Sequence, residues 1–329
     1  MHFARTEEQD ELASTIRSLL AKRSDSAAVR AAVQTEVGYD EPLWQTLCEQ
    51  IGVAALPIPE EHDGAGASLI ETAIVLEEIG YALTPSPLLA TAIATAALVA
   101  RGTAEQQATL LPRIAAGEIA TLVLDPDVVL DAAAATIVLT STTDGLRELT
   151  GATTTSKPAL DQTMRFASVE VERPAPSPLS DIAAALLTAV QVGTAQRGLD
   201  MTVAYSKERV QFGRPIGSFQ ALKHRMADML VLVEASRSAS WAATTAAAAY
   251  LQEPDAANLD NLARRAATAK AYCSDALDHI ASETVQLHGG IAITWEHDAQ
   301  LILKRAHALS QLFGQAHQHR RRVSDLAGR

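Results

Sequence analysis

Apolar residues recur at helical spacing along the first third of the chain. Thr6–Gln9 has the form of a capping box, and apolar positions three or four residues apart follow it as far as Leu20. A later helix is expected to begin after Ser68, whose side chain can cap it, and to run to Gly80. These patterns predict an N-terminal helical domain over residues 1–119.

Two segments of this region interrupt the helical pattern. Pro57–Ser68 contains two prolines and two glycines, which predicts a loop. Pro85–Pro87 is a second break, and the apolar run Leu88–Ala100 follows it. Because a bilayer-spanning helix needs roughly 20 apolar residues, this run of 13 is predicted to be a buried helix. No membrane association is expected.

The spacing of apolar residues changes near Ala120. Short segments rich in β-branched residues are separated there by Asp/Pro and Thr/Gly turns, a pattern typical of strands. The predicted strands are Thr121–Leu124, Thr136–Thr140 and Ala167–Val171. Pro174–Pro178 has the composition of a linker. We therefore predict a reduced β middle domain over residues 120–178.

Long helical patterns occupy the chain beyond this linker. They predict a C-terminal four-helix-bundle domain over residues 179–329. Ala235–Ala249 consists almost entirely of Ala, Ser and Thr, and small side chains allow helices to approach closely. This stretch predicts tight bundle packing or a subunit contact. The predicted fold class is mainly α, with a small β module between two helical domains.

The net charge of −12 excludes some classes of function. A protein that binds a nucleic-acid backbone normally presents a basic face, so nucleic acid is not an expected partner. The basic cluster Arg320–Arg322 is interpreted as cations at the end of a helix. Because the N-terminus lacks the apolar core of a signal peptide, a cytoplasmic location is expected.

No metal site is predicted. Cys48 and Cys273 are far apart and outside any Cys-x-x-Cys pattern, so both are interpreted as core residues. His317 and His319 are two positions apart and therefore do not share a helical face.

The segment Arg209–Met229 carries the clearest indication of chemistry. It places a cation, an aromatic ring and a Gly/Pro turn directly before a long helix. Planar cationic donors and closely approaching backbone suit the pyrophosphate of a dinucleotide. A second segment, Gln286–Gly290, places an amide and two glycines at a helix end. Taken alone, the first segment is more often just a surface turn, and the second more often just a helix stop.

Taken together, these segments resemble the FAD-dependent acyl-CoA dehydrogenases. The resemblance covers nearly the whole chain. Ile58–Ser68 and Glu77–Gly80 are similar to the N-terminal loop and helix of that family. Arg209–Met229 is similar to the signature of its third domain, and Gln286–Arg305 to its second nucleotide segment.

The resemblance implies which residues bind the cofactor. In the family, the C-terminal bundle of one subunit holds the ADP half of an FAD whose flavin ring lies in a neighbouring subunit. The implied ADP contacts here are Arg209, Gln211, Phe212, Ile216, Gln286, Gly289 and Gly290. His288 lies inside the second segment, where either a place near the nucleotide or a structural hydrogen bond remains open.

The middle domain departs from the family pattern. That domain normally is longer and carries a flavin loop and a Trp-Ile-Thr segment packed on the ring. Residues 121–180 contain no Trp, no Tyr and only Phe166 as an aromatic residue. We do not expect this chain to form a complete flavin pocket by itself.

The catalytic base departs as well. Dehydrogenation of an acyl-CoA needs a carboxylate to take the α-proton while the β-hydrogen leaves as hydride to the flavin. The usual glutamate position falls on Phe313, which cannot accept a proton. The alternative family position, on the earlier helix ending at Thr245–Ala249, holds no carboxylate, and Glu234 is interpreted as a solvated or ion-paired helical residue. No catalytic residue is therefore assigned.

The resemblance leads to one preferred hypothesis. The chain is expected to be one subunit of a heteromeric acyl-CoA dehydrogenase, similar to actinobacterial types in which unlike subunits pair. A full-length homologous partner, in an α2β2 assembly, would supply the flavin pocket and the glutamate. The resemblance suggests a bulky CoA ester, such as a steroid side-chain thioester, as substrate. The alternatives are a flavin-dependent monooxygenase of the same architecture and a non-catalytic assembly subunit.

Overall fold

Helices form both ends of the chain in the computed structural model, which describes residues 5–328. The N-terminal helices are α1 (Glu7–Arg23), α2 (Ser26–Gln34), α3 (Glu41–Thr46), α4 (Leu69–Ala82), α5 (Leu88–Arg101) and α6 (Ala104–Ala115). A π-helical turn, Leu47–Ile51, continues α3, and a short 3-10 turn, Glu60–His62, lies in the predicted loop.

Local signals explain where these helices begin and end. The Thr6 side chain accepts a hydrogen bond from the Gln9 backbone, and the Gln9 side-chain oxygen accepts one from the Thr6 backbone. The predicted capping box is therefore confirmed. Ser68 and Glu71 form a second box at the start of α4. The prolines before Leu88 separate α4 from α5, which is buried along most of its length, as predicted. In the part of the chain that the structure describes, no helix is long and apolar enough to cross a membrane.

The middle region consists of two small sheets. Its strands are β1 (Ala120–Val123), β2 (Val129–Leu130), β3 (Ile137–Ser141), β4 (Leu146–Glu148), β5 (Thr154–Lys157) and β6 (Phe166–Val169). The sheet orders are β1-β3-β4 and β2-β6-β5, with β1 and β3 parallel and the other pairs antiparallel. The three predicted strands correspond to β1, β3 and β6. The sequence did not reveal β2, β4 and β5, which are two to four residues long.

Five long helical elements make up the C-terminal region. They are α7 (Leu179–Glu208), α8 (Gln220–Gln252), α9 (Ala256–His288), α10 (Ala299–Gln311) and α11 (Ala316–Ala327). Helices α7 and α9 run parallel, since Gln191 bonds Ser274 and, further along both helices, Tyr205 stacks on His288. Helix α8 runs antiparallel to both, since Arg225 near its start pairs with Glu283 near the end of α9, and its later residue Ser240 bonds Thr188 near the start of α7. The ends of α7 and α9 and the start of α8 therefore lie together. The predicted mainly α fold with a small strand module is confirmed.

Small residues let α4, α7 and α8 pack closely. A Cβ built on Gly193 would lie 1.8 Å from the carbonyl oxygen of Glu77, and one on Gly80 would lie 2.4 Å from that of Val190. Side chains larger than hydrogen would therefore push α4 and α7 apart. Ala243, Ala246 and Ala247 of α8 are buried, so the Ala-rich stretch packs inside the bundle, as predicted.

Arg305 joins the three regions of the chain. Its guanidinium is buried and donates to Thr163 Oγ1 at 2.6 and 3.0 Å and to the carbonyl oxygen of Leu83 at 3.2 Å. Asp161, also buried, lies 3.5 Å from Nε. One side chain from α10 thus fixes the middle region and the end of α4 against the bundle.

Two smaller predictions had different outcomes. Cys48 and Cys273 are buried and free, as predicted, and burial raises the pKa of each thiol to about 12. The interpretation of Arg320–Arg322 as cations at a helix end was wrong. These residues lie in the middle of α11, where Arg320 pairs with Asp275 and Arg322 with Asp181, because the helix continues to Ala327.

Candidate functional site

The first predicted cofactor segment forms a hairpin at the end of α7. Two-residue strands, β7 (Val210–Gln211) and β8 (Arg214–Pro215), pair on either side of Phe212 and Gly213. Both turn residues have positive φ, 54° and 77°, which is the backbone of a type I′ turn. Gly213 adopts this conformation without strain, whereas Phe212 takes up a left-handed conformation that is strained for a phenylalanine.

Aromatic and cationic groups lie along this hairpin. The Phe212 ring is 91% exposed, with its centroid 6.0 Å from that of Phe219 in an edge-to-face arrangement. The Arg214 guanidinium lies 4.0 Å from the centre of the Phe219 ring. The base of the hairpin is fixed because the Ile216 backbone donates to the Arg209 carbonyl at 2.8 Å.

The second segment ends α9 and leaves backbone uncovered. Gly289 has φ 66° and stops the helix, and its N–H donates to the Gln286 carbonyl. A Cβ built on Gly289 or Gly290 would have no other atom within 4 Å. Glycine is therefore not required by packing at these positions, and the bare backbone faces open space where a ligand can approach it.

The structure brings the two segments to the same end of the bundle. Tyr205, one turn before Arg209, stacks on His288 with 4.5 Å between ring centroids. His288 Nδ1 donates to the Thr284 carbonyl at 2.7 Å, and burial lowers the pKa of this imidazole. His288 is therefore a neutral, hydrogen-bonded residue that joins the two segments, which is one of the two roles left open for it.

The polar groups predicted to bind the cofactor are available to a ligand. Arg209, Gln211 and Gln286 are all exposed. Among residues 5–328, the Arg209 guanidinium has no ion-pair partner and the Gln286 amide has no hydrogen-bond partner. A planar cation, an amide, an exposed ring and uncovered backbone together fit the adenosine-diphosphate part of a dinucleotide.

Further exposed apolar groups extend this surface, and the sequence did not indicate them. Ile293, the last residue of the 3-10 turn Gly289–Ile293, is 77% exposed, and Trp295, two residues further on, is 65% exposed. Lys304 Nζ lies 4.1 Å from the centre of the Trp295 ring. The signal available in the sequence was an apolar stretch directly after a helix stop.

Phe313, at the position expected for the catalytic glutamate, lies in the turn between α10 and α11. Its ring is half-buried and lines a groove of about 490 Å³ between the bundle and the middle region. The other lining residues are mostly apolar: Leu124, Asp125, Val128, Ala159, Leu160, Phe166, Ser180, Ala308, Gln311, Leu312 and Gly314. Asp125 supplies the carboxylate of this lining and pairs with Arg173 at 3.4 Å.

Two buried side chains fix this turn. Lys270 Nζ donates to the carbonyl oxygens of Leu309, Ser310 and Gly314 at 3.0–3.2 Å, and burial lowers its pKa to about 8. His319 Nε2 donates to the Phe313 carbonyl at 2.9 Å. The sequence did not reveal this arrangement, because Lys270 reaches carbonyls about forty residues away.

Two negative predictions concern bases and metals. Glu234 is exposed and pairs with Arg237 one turn along α8, which agrees with its interpretation as an ion-paired helical residue. Among residues 5–328, no group of three or more His, Cys, Asp or Glu side chains is placed to hold a metal ion.

Comparison with known proteins identifies the family to which this fold belongs. Residues 6–118 match the acyl-CoA dehydrogenase N-terminal domain, and residues 181–327 match the acyl-CoA dehydrogenase C-terminal domain. The chain therefore belongs to the acyl-CoA dehydrogenase family, whose members are FAD-dependent oxidoreductases. The prediction of the family and of FAD as its cofactor is confirmed.

Individual relatives match over nearly their whole length. The chain is 49% identical to acyl-CoA dehydrogenase IpdE2 of Mycobacterium tuberculosis, over 93% of each chain. It is 45% identical to IpdE2 of Mycolicibacterium smegmatis, over 97% of this chain and 98% of the relative. The alignment with FadE25 of Mycobacterium tuberculosis spans 386 positions at 28% identity, so that relative carries stretches that this 329-residue chain lacks.

Solved structures show the same fold. The Tcur3481–Tcur3483 steroid ACAD superposes with a TM-score of 0.85 at 27% identity, over 98% of each chain. A chain of the ChsE4–ChsE5 complex from Mycobacterium tuberculosis superposes with a TM-score of 0.84 at 24% identity, over 100% of this chain and 99% of the other.

Proposed function

We propose that this chain is one subunit of a heteromeric FAD-dependent acyl-CoA dehydrogenase. It contributes the surface that binds the ADP half of FAD, while a homologous full-length partner contributes the flavin pocket and the catalytic glutamate. The observation that carries the proposal is the contrast between an open nucleotide-type surface at Arg209–Gly217 and Gln286–Gly290 and a phenylalanine in place of the base at Phe313.

The ADP-binding role is supported by the state of its predicted residues. Arg209 is an exposed cation without an ion-pair partner in residues 5–328, and it suits a pyrophosphate. Gly289 and Gly290 present uncovered backbone beside it. The exposed Phe212, the half-buried Ile216 and the other exposed apolar groups of this end suit the adenosine and the surface of a second subunit.

The need for a partner is supported by the middle region. When bound, the flavin supplies the hydride acceptor, and its ring requires a pocket and a nearby carboxylate. Phe166 is the aromatic residue of the middle region, and it lies on the wall of a groove whose carboxylate, Asp125, is half-exposed and paired with Arg173. We propose that the competent ring pocket and the base belong to the partner.

The substrate and the stoichiometry extend this proposal. Because one structural neighbour is a steroid ACAD, we propose a bulky CoA ester, such as a steroid side-chain thioester, as the substrate. Closed twofold symmetry favours an α2β2 assembly with two competent sites. The neighbouring ChsE4–ChsE5 structure is itself a complex of two different proteins, which supports an assembly of unlike subunits.

Reconstitution with a partner tests this function. The chain is co-expressed with a homologous acyl-CoA dehydrogenase that has glutamate at the position of Phe313, and dehydrogenation of acyl-CoA esters is followed with an artificial electron acceptor. We expect turnover from the pair and none from this chain alone. Turnover by the chain alone contradicts the proposal.

Variants with matched controls test the assigned surface. Arg209→Ala and Gln286→Ala should each weaken FAD retention by the pair at least about tenfold, because a charge-assisted or buried polar contact contributes about 1.5–3 kcal/mol. Arg265→Ala and Gln252→Ala, exposed residues at the opposite end of the bundle, serve as controls and should leave retention unchanged. Equal retention in all four variants contradicts the cofactor role and favours a non-catalytic assembly subunit.

A further inference from the structure

Phe313 separates two apolar spaces that would otherwise be continuous. On one side lies the groove of about 490 Å³, and on the other a cavity of about 10 Å³. Leu124 and Val128 line both spaces together with Phe313. The ring and these two side chains therefore form the wall between the groove and the interior.

The small cavity lies deep between the N-terminal helices and the middle region. Ala90 and Ile93 of α5 form one side, and Leu122 and Leu130 of β1 and β2 form another. Its volume is at the lower limit of what a single water molecule needs, and its lining is almost entirely apolar. The small cavity beside the Phe313 ring therefore has no room for a ligand.

The backbone that carries the Phe313 ring is held by hydrogen bonds to its own carbonyl and to the next one. Phe313 has φ 56°, a left-handed conformation that is strained for a phenylalanine. His319 Nε2 holds its carbonyl at 2.9 Å, and Lys270 Nζ holds the next carbonyl, that of Gly314, at 3.0 Å. Two buried donors, one from α9 and one from α11, thus hold the backbone from which the ring projects.

We propose that Phe313 closes the acyl cavity of this chain, so that the aromatic ring, and not only the missing carboxylate, keeps thioester substrates out of this subunit. The proposal rests on the proposed function for its meaning in the assembly, where it explains why only the partner's site would turn over. A carboxylate alone would not restore a site, because the linings on both sides of position 313 are mostly apolar and burial there disfavours the ionised form.

Removal of the ring tests the closure directly. Phe313→Ala should join the two spaces into one apolar cavity, and such cavities bind benzene. We expect saturating benzene to raise the melting temperature of Phe313→Ala by about 2 °C or more, and to change that of the wild-type chain by less. Phe166→Ala is the matched control, since Phe166 lines the groove but not the small cavity, and benzene should not stabilise it.

Each outcome of this experiment bears on the closure. Equal stabilisation of the wild-type chain would show that the space is already open and would overturn the proposal, as would a folded Phe313→Ala that benzene does not stabilise. If Phe313→Ala does not fold, Phe313→Leu is tested with xenon, which fits a smaller opening. A xenon-induced stabilisation greater than that of the wild type supports closure, and its absence overturns it.

Restoring the carboxylate provides a second, functional test. In the complex with its partner, Phe313→Glu should give the same turnover per FAD as the wild-type chain. A gain in turnover would overturn the proposal, because the carboxylate would then have been the only missing element. If the wild-type complex itself shows no turnover, the proposed function fails, and the benzene experiment still decides whether Phe313 closes the cavity.

Discussion

Two turns of the bundle domain, both followed by a helical segment, differ sharply in how they are built. A Cβ on Gly289 or Gly290, at the end of α9, would have no atom within 4 Å, and Arg209 and Gln286 at the same end of the bundle are exposed. The turn at Phe313 and Gly314 is held by buried donors and has its ring against the core. The first turn leaves its backbone uncovered, whereas the carbonyls of the second are hydrogen-bonded within the fold.

We interpret this difference in terms of the function proposed above. Exposed polar groups and uncovered backbone cost stability nothing to keep, but they are useful only if something binds. Buried donors that fix a strained turn stabilise the fold whether or not a ligand is present. We therefore interpret the Gly289 turn as a binding surface and the Phe313 turn as a former active-site loop converted into structure.

Among the changes that test this comparison, loss of the Lys270 amine should lower the free energy of unfolding the most. Lys270→Ala removes the donor for three backbone carbonyls, and unsatisfied buried acceptors cost about 1–3 kcal/mol each, so we expect a loss of about 3 kcal/mol or more. The free energy of unfolding in urea measures it. Lys223→Ala, an exposed lysine of α8, is the control and should change it by less than about 0.5 kcal/mol. An effect of that small size for Lys270→Ala would mean that the amine does not hold the turn.

The pH dependence of the same variant sharpens the comparison. The pKa of Lys270 falls from its ordinary 10.5 to about 8 in the folded chain, mainly through burial. Between these values the unfolded chain binds more protons, so the Lys270 contribution to wild-type stability should increase as the pH rises from about 8 toward 10, by up to about 3 kcal/mol. The difference in unfolding free energy between wild type and Lys270→Ala should grow over this range. A difference that stays constant contradicts the lowered pKa.

Substitution of one glycine in each turn gives an intermediate effect. A Cβ on Gly314, at φ 99°, would lie 2.8 Å from His319 Nε2, so Gly314→Ala should destabilise the chain by about 1–3 kcal/mol. A Cβ on Gly290 would meet nothing within 4 Å, and Gly290→Ala should change stability by less than about 0.5 kcal/mol. Urea unfolding of the two variants compares the turns directly. Equal losses would remove the distinction between them.

A larger side chain at Gly290 should have the smallest effect on stability but a large effect on FAD binding. Gly290→Val places a side chain over the uncovered backbone at a position without positive φ, so it should leave the unfolding free energy nearly unchanged. In the complex with its partner, we expect the same variant to weaken FAD retention at least about tenfold by blocking backbone approach. Unchanged retention would mean that the nucleotide does not lie against this turn.

The sequence was most informative where signals are local. Caps at Thr6 and Ser68, the proline break before Leu88 and the β-branched segments of β1 and β3 each act within a few residues, and each predicted its element. Strand β2 has two residues and forms only because β6 lies beside it, so no local pattern predicts it. The division at residues 119/120 and 178/179 stays a prediction.

In the candidate site too, the parts formed by local motifs could be predicted and the parts formed by tertiary contacts could not. The Phe-Gly turn at Phe212 and the glycine pair after His288 are local motifs, so both segments could be predicted, although their contact through Tyr205 could not. The hydrogen bonds by which Lys270 and His319 fix the turn at Phe313 form only because α9 and α11 meet there. A lysine in an Ala-rich helix carries no sign that it will be buried, and only the assembled bundle reveals its role.

The flavin content of this chain, alone and with its partner, tests the central claim most directly. Visible absorbance of the purified protein gives the number of FAD molecules per chain. We predict that the chain alone retains almost no FAD and that the complex holds one FAD for each pair of unlike subunits. One FAD per chain in the isolated protein, together with dehydrogenase turnover, would contradict the account.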